Sequence, residues 1–403
     1  MTYIQRGTPS FKKVNLALFA GGFCTFAILW GTQPLLPDIA KEFHISPAAS
    51  SLSQSSTTIA LAISLLITGS LSEMYGRKRV MTVSLVISSI IAILTGFVTN
   101  FELLILCRIL QGITLAGLPA VAMAYLGEEI EPKSLGMAMG LYISGNSVGG
   151  MAGRMISGSL TDHFSWHIAL IGIGIIGLLA SFIFWFALPQ SSHFKAQTFK
   201  IKHLGTSLFT HFKTPGLIYL FLIGFLLEGS FVSLFNYIGF ELIKPPYSLS
   251  QTLVGFIFIV YIVGTFSSTW MGMLADQYGK KKILQLSLII LLIGGCMTLN
   301  FNIWLKIFGL AIFTYGFFAC HSINSTWVGK LATHDKAQAA SLYLFSYYIG
   351  GGIGGTLGGT FYHQFDWFGV VGMITVLSVI SILVSIRLGT ITKDKIKFFP
   401  HNV

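Results

Sequence analysis

Gly69-Ser-Leu-Ser-Glu73-Met-Tyr-Gly76-Arg77-Lys78 returns as Gly272-Met-Leu-Ala-Asp276-Gln-Tyr-Gly279-Lys280-Lys281, 203 residues further on. In each copy an apolar run ends in an acid, a glycine and a burst of cations, and a second apolar run follows. Two other matches keep nearly the same spacing. Leu141-Tyr142 with Gly149-Gly150 recurs as Leu342-Tyr343 with Gly350-Gly351, and Phe164-Ser-Trp166 recurs as Phe365-Asp-Trp367, both at 201 residues. Three matches at nearly one spacing argue that the chain is a duplicated unit.

Composition says what surrounds that unit. Of 403 residues, 53% are hydrophobic and only 10% are Asp, Glu, Lys or Arg, against roughly 25% charged in a soluble domain. So little charge does not cover a water-soluble globule. Apolar runs lie at 14–36, 50–71, 80–98, 101–125, 136–160 and 168–188, then at 217–242, 251–274, 283–300, 303–328, 337–361 and 367–387. A helix needs about 20 apolar residues to cross a bilayer. The expected fold is therefore an all-α integral membrane protein of twelve transmembrane helices. They form two pseudo-symmetric six-helix bundles, residues 1–188 and 217–403, joined by a cytoplasmic linker at 189–216. The run that starts at Val14 exceeds a signal-peptide core and has no obvious small-residue cleavage site, so it reads as a retained helix.

The formal charge of +11 is distributed by side of the membrane. Twenty of the 25 Lys and Arg fall at the termini, in the linker and in the loops that end even-numbered spans. The positive-inside rule then puts both termini in the cytoplasm. The cations form no basic face on a soluble module, so nucleic acid is not an expected partner. Cys24, Cys107, Cys296 and Cys320 all lie in apolar runs without a CxxC pair and read as buried small hydrophobes. Neither a metal cluster nor a catalytic triad is visible, and no cofactor is expected. Gly350-x-Gly352-x-x-Gly355 matches a dinucleotide fingerprint by letters alone, since no strand precedes it. Without a P-loop, ATP is not an expected driver.

Three stretches carry chemistry. The first is the opening repeat, where Gly69 permits close helix approach, Gly76 a tight turn, and Glu73 and Asp276 stand at helix ends. The second is Arg108-Ile-Leu-Gln111-Gly112. An intramembrane Arg costs about 2.5–3.5 kcal/mol on insertion scales. Arg108 therefore faces either a wet cavity or a set of backbone carbonyls. The third is Gly145-Asn146-Ser-Val-Gly149-Gly150, followed by Gly153 and Arg154. Its glycines form a small-residue stripe suited to tight helix packing. Arg154 is a second costly cation, with a role in substrate or coupling or in a structural pair.

These stretches resemble three motifs of the major facilitator superfamily: motif A (G-x-x-x-D-R-x-G-R-R), motif B (R-x-x-Q-G) and motif C (G-P-x-x-G-G). Met74 departs from the usual Arg of motif A, and Asn146 from the usual Pro of motif C. The resemblance covers about residues 14–387 and implies a monomeric, rocker-type secondary transporter that moves a small-molecule substrate. It is nearest the proton-coupled exporter branch, the drug:proton antiporters, with a narrower likeness to staphylopine-like metallophore exporters. In that family the motif A acid helps latch the two halves. The positions here are Gly69, Glu73, Gly76, Arg77, Asp276, Gly279 and Lys280. In similar antiporters the motif B Arg, here Arg108, is implicated in proton coupling.

Glu228 is the one acid well inside a predicted span. A lone intramembrane carboxylate is a candidate proton carrier, unless it is held in a permanent ion pair. His321 is the other candidate titrating group, with hydrogen-bonded packing as its alternative. Trp30, Gln33, Asn146, Asn236, Tyr237, Asn324, Tyr343 and Tyr347, together with Arg108 and Arg154, are the candidate substrate contacts, and Tyr261 and Tyr348 could line the same space. Two intramembrane Arg against one Glu make a positive-leaning interior. That balance favours a substrate bearing carboxylates, such as an amino-acid-derived metallophore. A multidrug efflux antiporter is the alternative within the class, and an importer of a sugar or organic acid lies further off. An enzyme or receptor is the reading from outside it. The expected location is a bacterial inner membrane, with protons and the lipid bilayer as partners.

Overall fold

The computed structural model describes residues 3–194, 210–214, 216–332 and 336–398. Most of the expected linker, including Lys195, Lys200 and Lys202, lies outside the described residues. Among the described residues the chain is helical, apart from one isolated bridge between Ile4 and Ile130. Local chemistry starts the helices. Thr8 accepts from the Phe11 amide, Ser46 from Ala49, Asn100 from Leu103, Ser165 from Ile168 and Ser250 from Leu253. Pro9 and Pro47 follow two of these caps, at positions where a missing N–H costs nothing.

The elements are α1 (Pro9–Trp30), α2 (Leu36–Glu42), α3 (Pro47–Tyr75), α4 (Arg77–Thr95), α5 (Phe101–Leu115), α6 (Ala122–Glu129), α7 (Pro132–His163) and α8 (Trp166–Ala187). After the linker come α9 (Leu217–Ile243), α10 (Gln251–Phe256), α11 (Tyr261–Tyr278), α12 (Lys280–Met297), α13 (Ile303–Leu331) and α14 (Lys336–Phe398). Phe365 and Asp366 leave helical geometry inside α14, so that element is two helices.

Twelve passes follow in chain order, but three expected spans are not continuous. The first is broken by a short 3-10 turn, Gln33–Leu35, because Pro34 lacks the N–H that Trp30 would receive. The fourth is split into α5 and α6, with turns at 116–121. The eighth passes through a 3-10 segment, Ile257–Val260, between α10 and α11. Among the described residues eight stretches are long and apolar enough to cross a membrane by length and composition, the last of them covering both halves of α14. The split fourth span, the glycine-rich α7 and α12 with its three leading lysines fall below that threshold. Large apolar side chains cover the outside, as at Ile63, Leu94, Phe186 and Leu383. Span hydroxyls turn back on their own helices, as Ser53 does to Ser50 and Thr57 to Ser53. Cys24 and Cys320 are buried as expected; Cys296 is exposed, a correction, and Cys107 is half-buried.

The chain divides into two compact units. One holds Met1–Phe199 with Leu242–Phe258, and the other Lys200–Glu241 with Ile259–Val403. Each is built on a glycine seam. In the first unit a Cβ on Gly153 would lie 2.6 Å from the Ala27 Cα, and one on Gly145 2.8 Å from the Phe19 Cα. Gly149 meets the Phe23 backbone in the same way, so α7 lies against α1 with no side chain between. In the second unit Gly350 meets Phe225 and Gly354 meets Gly229, which brings α14 against α9. Gly350 and Gly354 are thus packing residues. Gly76 and Gly279 both take φ of 96°, which fits their role in the tight turns. Gly69 does not fit its expected role: a Cβ there would meet nothing within 4 Å.

The seam gives a test. Gly153→Ala places a methyl in the Ala27 backbone and should destabilise the protein by about 1–3 kcal/mol, the usual cost of overpacking. Gly140→Ala on the same helix meets open space and should be neutral or stabilising, since Ala favours helix. Thermal unfolding in detergent reads both. Equal melting temperatures for the two variants would refute the seam.

Candidate functional site

In the first unit, the break after α1 leaves carbonyls that lipid cannot satisfy. Arg108 from α5 serves them. Its Nε donates to the Ser53 carbonyl at 2.9 Å, and its two terminal nitrogens donate to the Leu29 carbonyl at 3.1 Å and to Ile28 at 3.4 Å. It also donates to the Gln111 Oε1 at 2.6 Å and the Gln54 Oε1 at 3.4 Å, while the Gln54 amide donates to Leu29 at 3.0 Å. Hydrogen bonds from a charged donor are worth about 1.5–3 kcal/mol each. The three bonds under 3.2 Å therefore outweigh the insertion cost of about 2.5–3.5 kcal/mol. Gly112 lets α5 lie on the Thr57–Leu61 backbone, which brings Arg108 within reach. Gln54 had no sequence signal as a partner; Gln111 stood in the motif.

Arg154 belongs to the same unit and is 1% exposed. Its Nε donates to the Gln33 Oε1 at 2.7 Å, and a terminal nitrogen donates to the Gly150 carbonyl at 2.7 Å. The guanidinium carbon lies 4.8 Å from the Trp30 ring centre and 4.7 Å from that of Phe258. Aromatic faces attract cations, by up to about 2 kcal/mol when desolvated. The expected trio of Arg154, Gln33 and Trp30 is therefore one cluster. Phe258 was not foreseen, because an apolar ring in an apolar span carries no signal. Asn146 points elsewhere: it fills the space over Gly22 of α1 and hydrogen-bonds to Tyr142.

In the second unit, Glu228 of α9 is 1% exposed. Gly351 makes room for it, since a Cβ there would lie 2.8 Å from the Glu228 Cγ. Tyr347 shares a hydrogen bond with Glu228. The Tyr347 ring stands 4.6 Å from the His321 ring, and the Tyr343 hydroxyl lies 3.0 Å from the His321 Nδ1. Asn324 donates to the Leu220 carbonyl at 2.8 Å and hydrogen-bonds to Tyr343. Five expected residues thus form one polar cluster from α9, α13 and α14, in which Glu228, Asn324 and Tyr343 are buried and His321 and Tyr347 half-buried. Two others lie on α9, as Glu228 does. Tyr237 is fully buried, with its hydroxyl donating to the Gly355 carbonyl at 2.6 Å, and Asn236 is buried beside it on α9.

The two repeat turns carry the same charges and pair them differently. Arg77 holds Glu128 through a fork of 2.7 and 3.2 Å, donates to the Ser72 hydroxyl at 2.6 Å, and lies 3.7 Å from Glu73. In the second turn Asp276 pairs with Lys330 at 3.1 Å, and Lys280 donates to the Thr326 hydroxyl at 2.7 Å. Neither Glu128 nor Lys330 was singled out from the sequence. Lys306, expected near a helix start, is buried against Glu241 at 3.1 Å and over the Trp367 ring.

Arg108 yields a discriminating test. Arg108→Gln removes most donors to the Ser53, Leu29 and Ile28 carbonyls, each worth about 1–3 kcal/mol when left bare. The variant should melt well below the wild type in detergent. A wild-type melting temperature with transport lost would instead assign the residue to coupling alone.

The sequence model of the Major Facilitator Superfamily matches residues 18–243 and 223–401. The chain is 51% identical to the uncharacterized MFS-type transporter YybF of Bacillus subtilis over 385 residues, covering 96% of this chain and 95% of that one. It is 47% identical to the inner membrane transport protein YnfM of Escherichia coli, covering 96% and 93%. Among solved structures, an inward-facing, occupied bacterial homologue of the human lysosomal transporter Spinster superposes with a TM-score of 0.79 at 16% identity, covering 96% of this chain and 98% of that one. The nucleoside transporter NupG superposes at 0.77 and 17% identity, covering 93% and 99%. The structural likenesses speak to fold alone, whereas the family match and the near relatives span almost the whole sequence: this chain is a multi-pass membrane transporter of the major facilitator superfamily.

Proposed function

We propose that the chain is a proton-coupled exporter of a small organic molecule, with a preference for anionic or zwitterionic metabolites such as amino-acid-derived metallophores. The observation that carries the reading is the segregation of interior charge. A guanidinium flanked by aromatic rings sits in one unit, and a buried carboxylate bonded to a tyrosine sits in the other. A guanidinium binds a carboxylate through two parallel hydrogen bonds, most strongly where water is excluded. A lone intramembrane carboxylate is a candidate proton carrier, and Tyr347 stands next to both Glu228 and the His321 ring.

In this reading Arg154, Gln33 and Trp30 contact substrate, and Glu228 with His321 handles the proton. Residues 1–188 and 217–403 are the two moving bodies, with Leu242–Phe258 going with the first, and the motif A turns at Glu73 and Asp276 act on the conformational equilibrium. Loop charges support cytoplasmic termini in an inner membrane, the location in YnfM's name, and the working unit is a monomer. An aromatic cluster favours the multidrug alternative. Phe231 stacks on Phe317 at 3.7 Å, with Tyr261 and Phe235 close by, and such faces suit lipophilic cations.

Glu228→Gln keeps the shape and removes the charge. In proteoliposomes it should abolish proton-driven transport while substrate counterflow persists. Retention of the wild-type pH dependence would remove Glu228 from the mechanism. Arg154→Lys, in the same assay, should weaken transport of carboxylate-rich substrates about tenfold and spare neutral ones, because an ammonium lacks the guanidinium fork. Wild-type preference for lipophilic cations, unchanged in that variant, would establish the multidrug reading instead.

A further inference from the structure

We propose that the turn between α3 and α4 forms a binding site for the phosphodiester headgroup of an anionic phospholipid. A cavity of about 420 Å³ opens there, between the start of α4 and the end of α8. Its wall carries three consecutive cations with different fates. Arg77 is buried and held by Glu128, Glu73 and Ser72. Lys78 is half-buried and Arg79 exposed, and among the described residues neither lies in an ion pair. The acids around the site are already engaged. Glu73 and Glu128 meet Arg77, and Glu129 accepts from the Ser191 hydroxyl at 2.5 Å and the His193 amide at 2.8 Å.

Two further features select an anion. α4 is preceded by Gly76, which offers no side-chain cap to the first-turn amides, and uncapped helix N-termini favour negative charge. Gln190 adds an amide to the same wall. The other rim is apolar. Trp185 lines the cavity and is 49% exposed, with Val83 on the facing helix and Phe186 next to Trp185 both exposed. Tryptophan at the end of a span sits at the level of lipid headgroups, and basic pockets between spans take anionic headgroups. A free phosphate would use only the charged wall. A phospholipid uses both, with its phosphate on Lys78, Arg79 and the α4 amides and its acyl chains along Val83 and Trp185. The site is separate from Arg154 and Glu228, so it stands or falls independently of the transport reading.

The test uses purified protein in phosphatidylcholine nanodiscs doped with phosphatidylglycerol, with bound lipid counted by native mass spectrometry. Lys78→Gln/Arg79→Gln should lower phosphatidylglycerol retention about tenfold at low salt and leave phosphatidylcholine unchanged. Lys281→Gln/Lys282→Gln, which removes the same charge from the second repeat turn, should change retention less than about twofold. If the double variant does not fold, Arg79→Gln alone should still lower retention about threefold, since that side chain is exposed. Equal losses in the two double variants would mean diffuse charge attraction and would overturn the site. Displacement of the lipid by millimolar inorganic phosphate would overturn it too, in favour of a soluble anion.

Discussion

Hydrocarbon offers no hydrogen bonds, and the break in the first span is arranged around that fact. The break after Trp30 removes one carbonyl's partner at Pro34 and distorts the turn before it. Arg108 and Gln54 from neighbouring spans supply donors to Ile28 and Leu29. The guanidinium bears its insertion cost because those carbonyls need it, and the carbonyls tolerate the break because the guanidinium is there. Neither feature is stable alone. The same logic places Asn324 on the Leu220 carbonyl and Tyr237 on that of Gly355.

The two halves share a scaffold and diverge in charge. The α1–α7 seam pairs Phe23 with Gly149 and Ala27 with Gly153; the α9–α14 seam pairs Phe225 with Gly350 and Gly229 with Gly354. Aligned on those seams, Arg154 stands where the second half has Gly355, and Glu228 stands where the first half has Phe26. Glycine contacts conserve geometry because a methyl at those points meets backbone. The neighbouring positions face interior space and are free to change. One half has acquired a cation among aromatic rings, the other a carboxylate among tyrosines. Fold and site are thus separable, and the chemistry lies in substitutions on a duplicated frame.

The repeat turns show the same divergence near the surface. Both keep a glycine at φ 96° and a following cation, which is what the turn geometry demands. In the first, the cation is the hub and Glu128 its partner; in the second, the acid Asp276 is paired and Lys330 is the partner. The charges are the same in the two turns, and the one that finds a distant partner is the cation in the first and the acid in the second.

Much of this was legible without coordinates. Period, apolar run length and cation placement identified a duplicated helical membrane protein, because span length and repeat spacing are one-dimensional quantities. The sequence also marked Arg108, Arg154 and Glu228, since a charge in an apolar run is costly wherever it points. It could not say which partners meet that cost. Gln54, Phe258 and Glu128 are ordinary residues by composition and become important only where helix packing brings them within 2.7–4.7 Å of a guanidinium. Nor could it separate Tyr237, which ties two helices together, from Tyr347, which bonds to a carboxylate. Rotation of a helix about its own axis decides between those fates, and that rotation is set by contacts with other helices. The sequence by itself determined that charges are buried and how many passes carry them; the tertiary structure decided what each charge touches.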